Sequence, residues 1–382
     1  MIPLATPNIT GKEAKYLNEC VETNFVSTVG PFVTRFEEMV AYAADAKFGV
    51  ATCSGTAGLH LALTTVGVKN NDLVVLPSFT FIASANAISH CGASPWLFDI
   101  SDESWTIDVA LLKNILRKEV YKSNKQLIHK KSGRRVAAIL PVYTLGQPAD
   151  MEGIKQVAYE YQLPLVVDAA AALGCRYKGG NIGDLGDLTV FSFNGNKTIT
   201  AGGGGMLVGN DEGLLKLARH LSTTARVGDD YNHDQVGFNY RLTNLQAAVG
   251  CAQIERLDEF VKTKRDIDIR YREAFNNTDG VGFFPSPKWA ESACWFTGLT
   301  IDSPVMNNIP NICMQLRNKG IEARTFWKPI HLQEPYKNVL MTEMLVSNNV
   351  WKKILTLPCS THLTTDEQDK IIMTLKELIT ER

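Results

Sequence analysis

The chain has 382 residues, enough for a large core and, at roughly 100–200 residues per domain, for two domains. With 45% hydrophobic and 21% charged residues its composition is that of an ordinary globular protein, and a formal charge of −1 leaves no basic footprint for nucleic acid. The N-terminus lacks the charged start and long apolar core of a signal peptide, and no uncharged apolar run reaches the ~18 residues of a membrane helix. A cytoplasmic setting with no membrane partner is therefore expected.

In chain order, Phe48–Thr52 is strand-like and Gly55–Thr65 continues as a helix. Further strands are predicted at 73–76, 95–99, 135–143, 163–168 and 188–193. Between them Ile82–His90, Met151–Tyr161 and residues 211–222 carry helical periodicity. This alternation predicts an α/β architecture, a mainly parallel sheet with helices on both faces. Residues 244–260 read as one long helix with Leu245, Val249, Ala252, Ile254 and Leu257 on its apolar side. A large domain of residues 1–257 and a smaller α+β domain of 258–382 follow. The tail closes on a capping-box-like Thr365-Asp-Glu-Gln368 before a helix with Ile371, Ile372, Leu375, Leu378 and Ile379 inward.

Residues 113–135 hold nine Lys/Arg against one acid, Glu119. A solvated insertion is the favoured reading, an edge attracting an anionic substrate the alternative. Eight cysteines without CxxC or metal spacing read as reduced, mostly buried thiols.

Chemistry gathers at the carboxyl ends of parallel strands. The run 163–168 ends on Asp168. The run 188–193 is followed by Asn194-Gly-Asn-Lys197 and then by four glycines, Gly202 to Gly205. An acid and a lysine so placed suit pyridoxal phosphate (PLP): the lysine bonds the aldehyde and the carboxylate pairs with the ring nitrogen. Beside the glycine run the backbone turns closely, and an enclosed lysine there becomes a better nucleophile. Ser54-Gly55-Thr56-Ala57, between strand and helix, offers N–H groups to a phosphate. Ser192 adds a hydroxyl, and Phe81 offers a ring for stacking.

These segments, with Pro77-Ser-Phe-Thr-Phe81, Gly237-Phe-Asn-Tyr-Arg-Leu-Thr-Asn244 and Trp327-Lys-Pro-Ile-His331, resemble the DegT-type sugar aminotransferases over nearly the whole chain. The Ser-Phe-Asn-Gly-Asn-Lys form is similar to a branch aminating C4 of UDP-linked 4-keto-6-deoxy sugars on bacillosamine- and legionaminic-type routes. The GDP-perosamine branch has a similar segment. The resemblance implies a fold-type-I PLP-dependent transferase, aspartate aminotransferase-like, that moves an amino group from L-glutamate to a nucleotide-linked keto sugar for surface-glycan synthesis. It implies a homodimer with shared active sites. Lys197 and Asp168 would be catalytic. Gly55, Thr56 and Ser192 would bind the phosphate, with Phe81 on the ring and Asn239 reaching the neighbour's phosphate. Arg241 and His331 would contact substrate.

One position departs from the family pattern. Ala171 stands where Gln or Glu is usual three residues after the Asp, and it has no side-chain hydrogen bond to offer the cofactor's ring hydroxyl. Two rival readings remain: a 3-dehydratase of the same fold, which has His in place of the lysine, and a PLP-binding protein with little turnover.

Overall fold

A computed structural model describes residues 1–302 and 308–380. Helices α1 (Glu13–Glu22) and α2 (Pro31–Ala44) precede β1 (Phe48–Thr52), α3 (Gly55–Thr65), β2 (Leu73–Pro77), α4 (Ile82–His90) and β3 (Ser94–Phe98). Next come α5 (Val109–Glu119), the hairpin β4 (Val120–Ser123) and β5 (Gln126–His129), then β6 (Arg135–Ile139) and α6 (Met151–Tyr161). β7 (Val166–Asp168), β8 (Arg176–Tyr177), β9 (Leu188–Ser192), β10 (Gly205–Gly209), α7 (Glu212–Ser222) and the short pair β11 (Arg226–Val227) and β12 (Asn232–His233) follow.

β1 and β9 each pair antiparallel with β10, so they run in one direction, and β7 lies parallel to β9. β2 is parallel to β3 and to β6. Single parallel bridges, Ile139 to Leu165 and Val142 to Asp168, join β6 to β7. The result is one sheet in the order β1-β10-β9-β7-β6-β2-β3 in which β10 is reversed, and the β4–β5 hairpin joins it through β5, antiparallel to the start of β6. Leu73 and Val75 fall in one apolar cluster and Val74 and Leu76 in another, as expected of a strand covered on both faces.

Some predicted boundaries shift. β6 leaves the regular ladder before Pro141, which has no N–H to give, although Val142 still bridges to Asp168. The single helix predicted over 244–260 is two, α8 (Asn244–Ile254) and α9 (Leu257–Phe275). At the break Arg256 leaves helical geometry, with φ −115° and ψ 14°, and the Glu255 carboxylate accepts from Lys12, Tyr16 and Arg35. Arg256 meanwhile turns to Thr10 and Glu259.

Beyond α9 a second sheet runs β13 (Val281–Phe283), β15 (Thr297–Ile301), β17 (Ile354–Leu357), β16 (Arg324–Thr325), all antiparallel. Helices α10 (Ile309–Asn318), α11 (Leu345–Val350) and α12 (Thr365–Thr380) complete this part, and β14 (Ala290–Glu291) pairs antiparallel with β8. The capping box sits one residue earlier than the sequence suggests: Thr364 and Glu367 exchange the two bonds, while Gln368 is buried and donates to the Ile267 carbonyl. The basic segment is structural where its contacts are seen. Arg135 pairs with Asp72, Arg134 donates to the Asn71 and Asp72 carbonyls, and Lys122 donates to the Glu160 carbonyl. All eight cysteines are free thiols; Cys20, Cys175, Cys251 and Cys359 are buried and Cys53 is exposed. No helix among the described residues is long and apolar enough to cross a membrane.

Candidate active site

The carboxyl ends of β1, β2, β6, β7 and β9 open on one cavity of about 590 Å³. Its wall includes Ser54, Gly55 and Thr56 after β1, Thr80 and Phe81 after β2, Tyr143 after β6, Asp168 closing β7, and Ser192 and Lys197 at and beyond β9. Residues far apart in sequence meet here because parallel strands end on the same edge.

Lys197 lies in a loop closed on itself: its N–H reaches the Asn194 carbonyl, and the Ala201 N–H reaches the Phe193 carbonyl. The reversed strand returns at the same edge through Gly204, whose N–H meets the Cys53 carbonyl. Gly204 has φ +100°, and a Cβ there would stand 2.6 Å from Leu242 Cδ1, so the glycine run is needed for both its backbone and its space. Lys197 Nζ lies 3.9 Å from the centroid of the Trp295 ring. Enclosure pushes its pKa down to about 8, against the opposing pull of Asp168. A sizeable neutral fraction at mildly basic pH follows, which is what a nucleophilic amine requires.

Asp168 is buried. Burial raises its pKa, while the Ser84 hydroxyl, the Ala170 N–H and Lys197 each favour the ionised form. Ser84 donates at 2.6 Å to Oδ2 and Ala170 donates at 3.1 Å to Oδ1. Thr80 supports Ser84 at 2.9 Å, making a chain of hydroxyls that ends on the carboxylate.

α3 begins at Gly55 with Ser54 as its cap, the Ser54 hydroxyl accepting from the Ala57 N–H. The first helical N–H groups face an edge that favours anions. A Cβ at Gly55 would stand 2.9 Å from Ser192 Cβ, so glycine keeps this turn open. The donor set fits PLP: an anion cradle, a buried carboxylate, an enclosed amine, and the Phe81 ring, 52% exposed, against Trp327 at 5.7 Å.

Of the residues singled out from sequence, Gly55, Thr56, Phe81, Asp168, Ser192 and Lys197 line this cavity together. Three do not. Asn239 is exposed on an extended segment whose neighbours Phe238 and Tyr240 stack on each other and pack on His60. Arg241 is half-buried two residues on. His331 is buried, with Nδ1 2.6 Å from Ser78 Oγ and Nε2 3.0 Å from Asn348 Oδ1, so both ring nitrogens are engaged within the subunit. Ala171 is on the cavity wall. The sequence reading missed Trp295, Trp327, Arg324 and Ser84. The first three line the cavity from segments 98 to 130 residues beyond Lys197 in a differently patterned part of the chain; only Trp327 falls in a segment the sequence singled out, Trp327-Lys-Pro-Ile-His331, where His331 and not the Trp was given a role.

The family model described as the DegT/DnrJ/EryC1/StrS aminotransferase family matches residues 7–376. The chain belongs to this family. Members are PLP-dependent sugar aminotransferases, and this chain is one of them. It is 38% identical to the putative pyridoxal phosphate-dependent aminotransferase EpsN of Bacillus subtilis, over 99% of this chain and 95% of that one. GDP-perosamine synthase of Vibrio cholerae is 33% identical, with 98% of each chain covered. A crystal structure of a DegT DnrJ EryC1 StrS aminotransferase from Brucella abortus superposes with a TM-score of 0.88 at 26% identity, over 97% of this chain and 95% of that one. The fold-type-I architecture and the aminotransferase class expected from the sequence both stand.

Proposed function

We propose that this aminotransferase moves an amino group from L-glutamate to the C4 keto carbon of a UDP-linked 4-keto-6-deoxy sugar for surface-glycan synthesis, acting in the cytoplasm as a homodimer with shared active sites. The observation that carries the catalytic part is the single cavity holding enclosed Lys197, buried Asp168 and the open Gly55 turn. The Ser192-Phe-Asn-Gly-Asn-Lys197 segment supports the sugar branch.

When bound, PLP supplies an electron sink for the charge that develops at the carbon bearing the amine. Gly55, Thr56 and Ser192 would hold its phosphate, Phe81 would stack on its ring and Asp168 would pair with the ring nitrogen. Lys197 Nζ removes the proton from Cα of the amino donor and later returns a proton to the sugar carbon. Glutamate leaves as 2-oxoglutarate, and the keto sugar leaves as the amino sugar. Arg241 is assigned to an anionic group of either substrate and Asn239 to the neighbouring subunit's phosphate. His331 is assigned a positioning role, fastening the segment after Trp327 to the loop that carries Phe81.

A GDP-linked substrate is the second reading, favoured by the 33% identity to GDP-perosamine synthase. UDP-, GDP- and dTDP-linked 4-keto-6-deoxy sugars assayed with glutamate, with NMR of the product, separate the readings. Turnover confined to the GDP sugar establishes the second, and a strict requirement for a 3-keto sugar overturns C4 amination. Ala171 motivates one control. Glutamate added to the PLP-loaded protein shifts its visible spectrum if the first half-reaction runs, and an unchanged spectrum would establish a binding protein with little turnover.

A further inference from the structure

Helix α9 turns a buried stripe inward through Phe260, Ile267, Tyr271 and Phe275, and Lys264 stands in that stripe with 3% of its surface exposed. It is the one charged side chain among the helix's buried residues. A lysine in such a place requires acceptors, since an unpaired one would be costly to bury. Lys264 has them: Nζ donates to the Trp295 carbonyl at 3.0 Å and to the Cys359 carbonyl at 2.9 Å, with Cys359 Sγ at 3.8 Å.

Both carbonyls belong to segments that wall or support the catalytic cavity. Trp295 precedes β15, and its ring is the surface against which Lys197 Nζ rests. Cys359 follows β17, and its N–H meets the carbonyl of Leu4, another residue of the cavity wall. The indole is held at its other end as well, where Nε1 donates to the Asn196 carbonyl at 2.6 Å, one residue before Lys197. The Trp295 main chain is thus tied to α9, and its side chain is tied to the lysine loop.

We propose that Lys264 is a positioning residue for Lys197, acting through Trp295. By fixing the Trp295 main chain it fixes the indole, and the indole limits where the Lys197 amine can stand. This goes beyond the roles given above and rests on the reading of Lys197 as the reacting amine. A π face 3.9 Å from an amine restricts it by contact and attracts it when protonated.

The test measures how fast Lys197 captures PLP in cofactor-free protein. Nζ adds to the PLP aldehyde carbon, water leaves, and visible absorbance grows with the new bond. Lys264→Met and Trp295→Leu are each expected to slow capture about tenfold. Because they act on one element, the double variant should be no slower than the slower single, within a factor of about two. Trp295→Phe, which keeps a ring and loses the bond to Asn196, should fall between. If Lys264→Met fails to fold, Lys264→Gln keeps an uncharged N–H donor group on a shorter side chain and should give an intermediate rate. Wild-type capture in whichever Lys264 variant folds, even with a lowered melting temperature, overturns the proposal and leaves Lys264 a purely structural residue. So does a double variant whose losses multiply. Capture and full turnover by Lys197→Met would instead overturn the assignment of Lys197 itself.

Discussion

Ser84 donates a 2.6 Å hydrogen bond to Oδ2 of Asp168, two buried residues 84 positions apart in sequence. Burial raises the Asp168 pKa, and Ser84 is the foremost of the contacts that oppose that rise. A hydrogen bond to a charged group contributes about 1.5–3 kcal/mol. Ser84→Ala should therefore lower kcat by about 10- to 100-fold while the protein still folds and binds PLP. A kcat within twofold of wild type would show that the carboxylate does not depend on this hydroxyl.

Gly55 offers a steric prediction. A methyl group there meets Ser192 Cβ at 2.9 Å, closer than non-bonded carbons sit, and the clash falls in the turn assigned to the phosphate. Overpacking of this kind costs about 1–3 kcal/mol. Gly55→Ala should weaken PLP binding by about 10- to 100-fold in an absorbance titration. Unchanged affinity would place the phosphate elsewhere.

Lys197 makes stability depend on pH in a defined direction. Its folded pKa is about 8, against 10.5 for the free side chain. Below pH 8 the folded and unfolded chains both hold the proton, and the fold bears the full cost of enclosing it. Between 8 and 10.5 the unfolded chain binds more protons, so stability rises with pH. Lys197→Met should stabilise the cofactor-free protein at pH 7 by about 1–3 kcal/mol in urea unfolding, the side chain being only half-buried. The gain should shrink as pH climbs through that window. A gain that grows with pH would contradict the assignment.

How much of this site was readable in the sequence depended on distance along the chain. Asp168, Lys197 and the Ser54–Thr56 turn each end or follow a strand, so local pattern and strand alternation were enough to bring them to one edge. The Ser84 contact depends on the first turn of α4 reaching the last residue of β7, and nothing local announces it. Trp295 comes from beyond α9, where short antiparallel strands leave a weak period-2 signal. The long helix expected over 244–260 failed in a similar way: its apolar spacing runs on past Glu255, and nothing in that spacing marks Arg256 as the residue whose backbone leaves the helix. The capping box slipped by one residue because Gln368 and Glu367 both suit the pattern, and only packing against Ile267 decides between them.

Asn239 allows a direct test of the shared site. It lies outside the cavity of its own subunit, on an exposed segment beside Val236, 86% exposed, and near Tyr231, 87% exposed. Apolar side chains so open suit an interface with a second copy. If Asn239 acts in the neighbour's site, Lys197→Ala and Asn239→Ala damage different subunits of the same site. Each variant alone should be weak, Lys197→Ala being inactive. Mixed, dissociated and reassociated one to one, about half the dimers would be hybrids, each with one site that has both Lys197 and Asn239 intact. Activity should then recover to about a quarter of wild type. A site completed within one subunit cannot be repaired this way, because the Asn239→Ala chain would carry its own defect into every dimer. No recovery, with hybrids shown to form by mass spectrometry, would assign Asn239 to its own subunit or to no catalytic role.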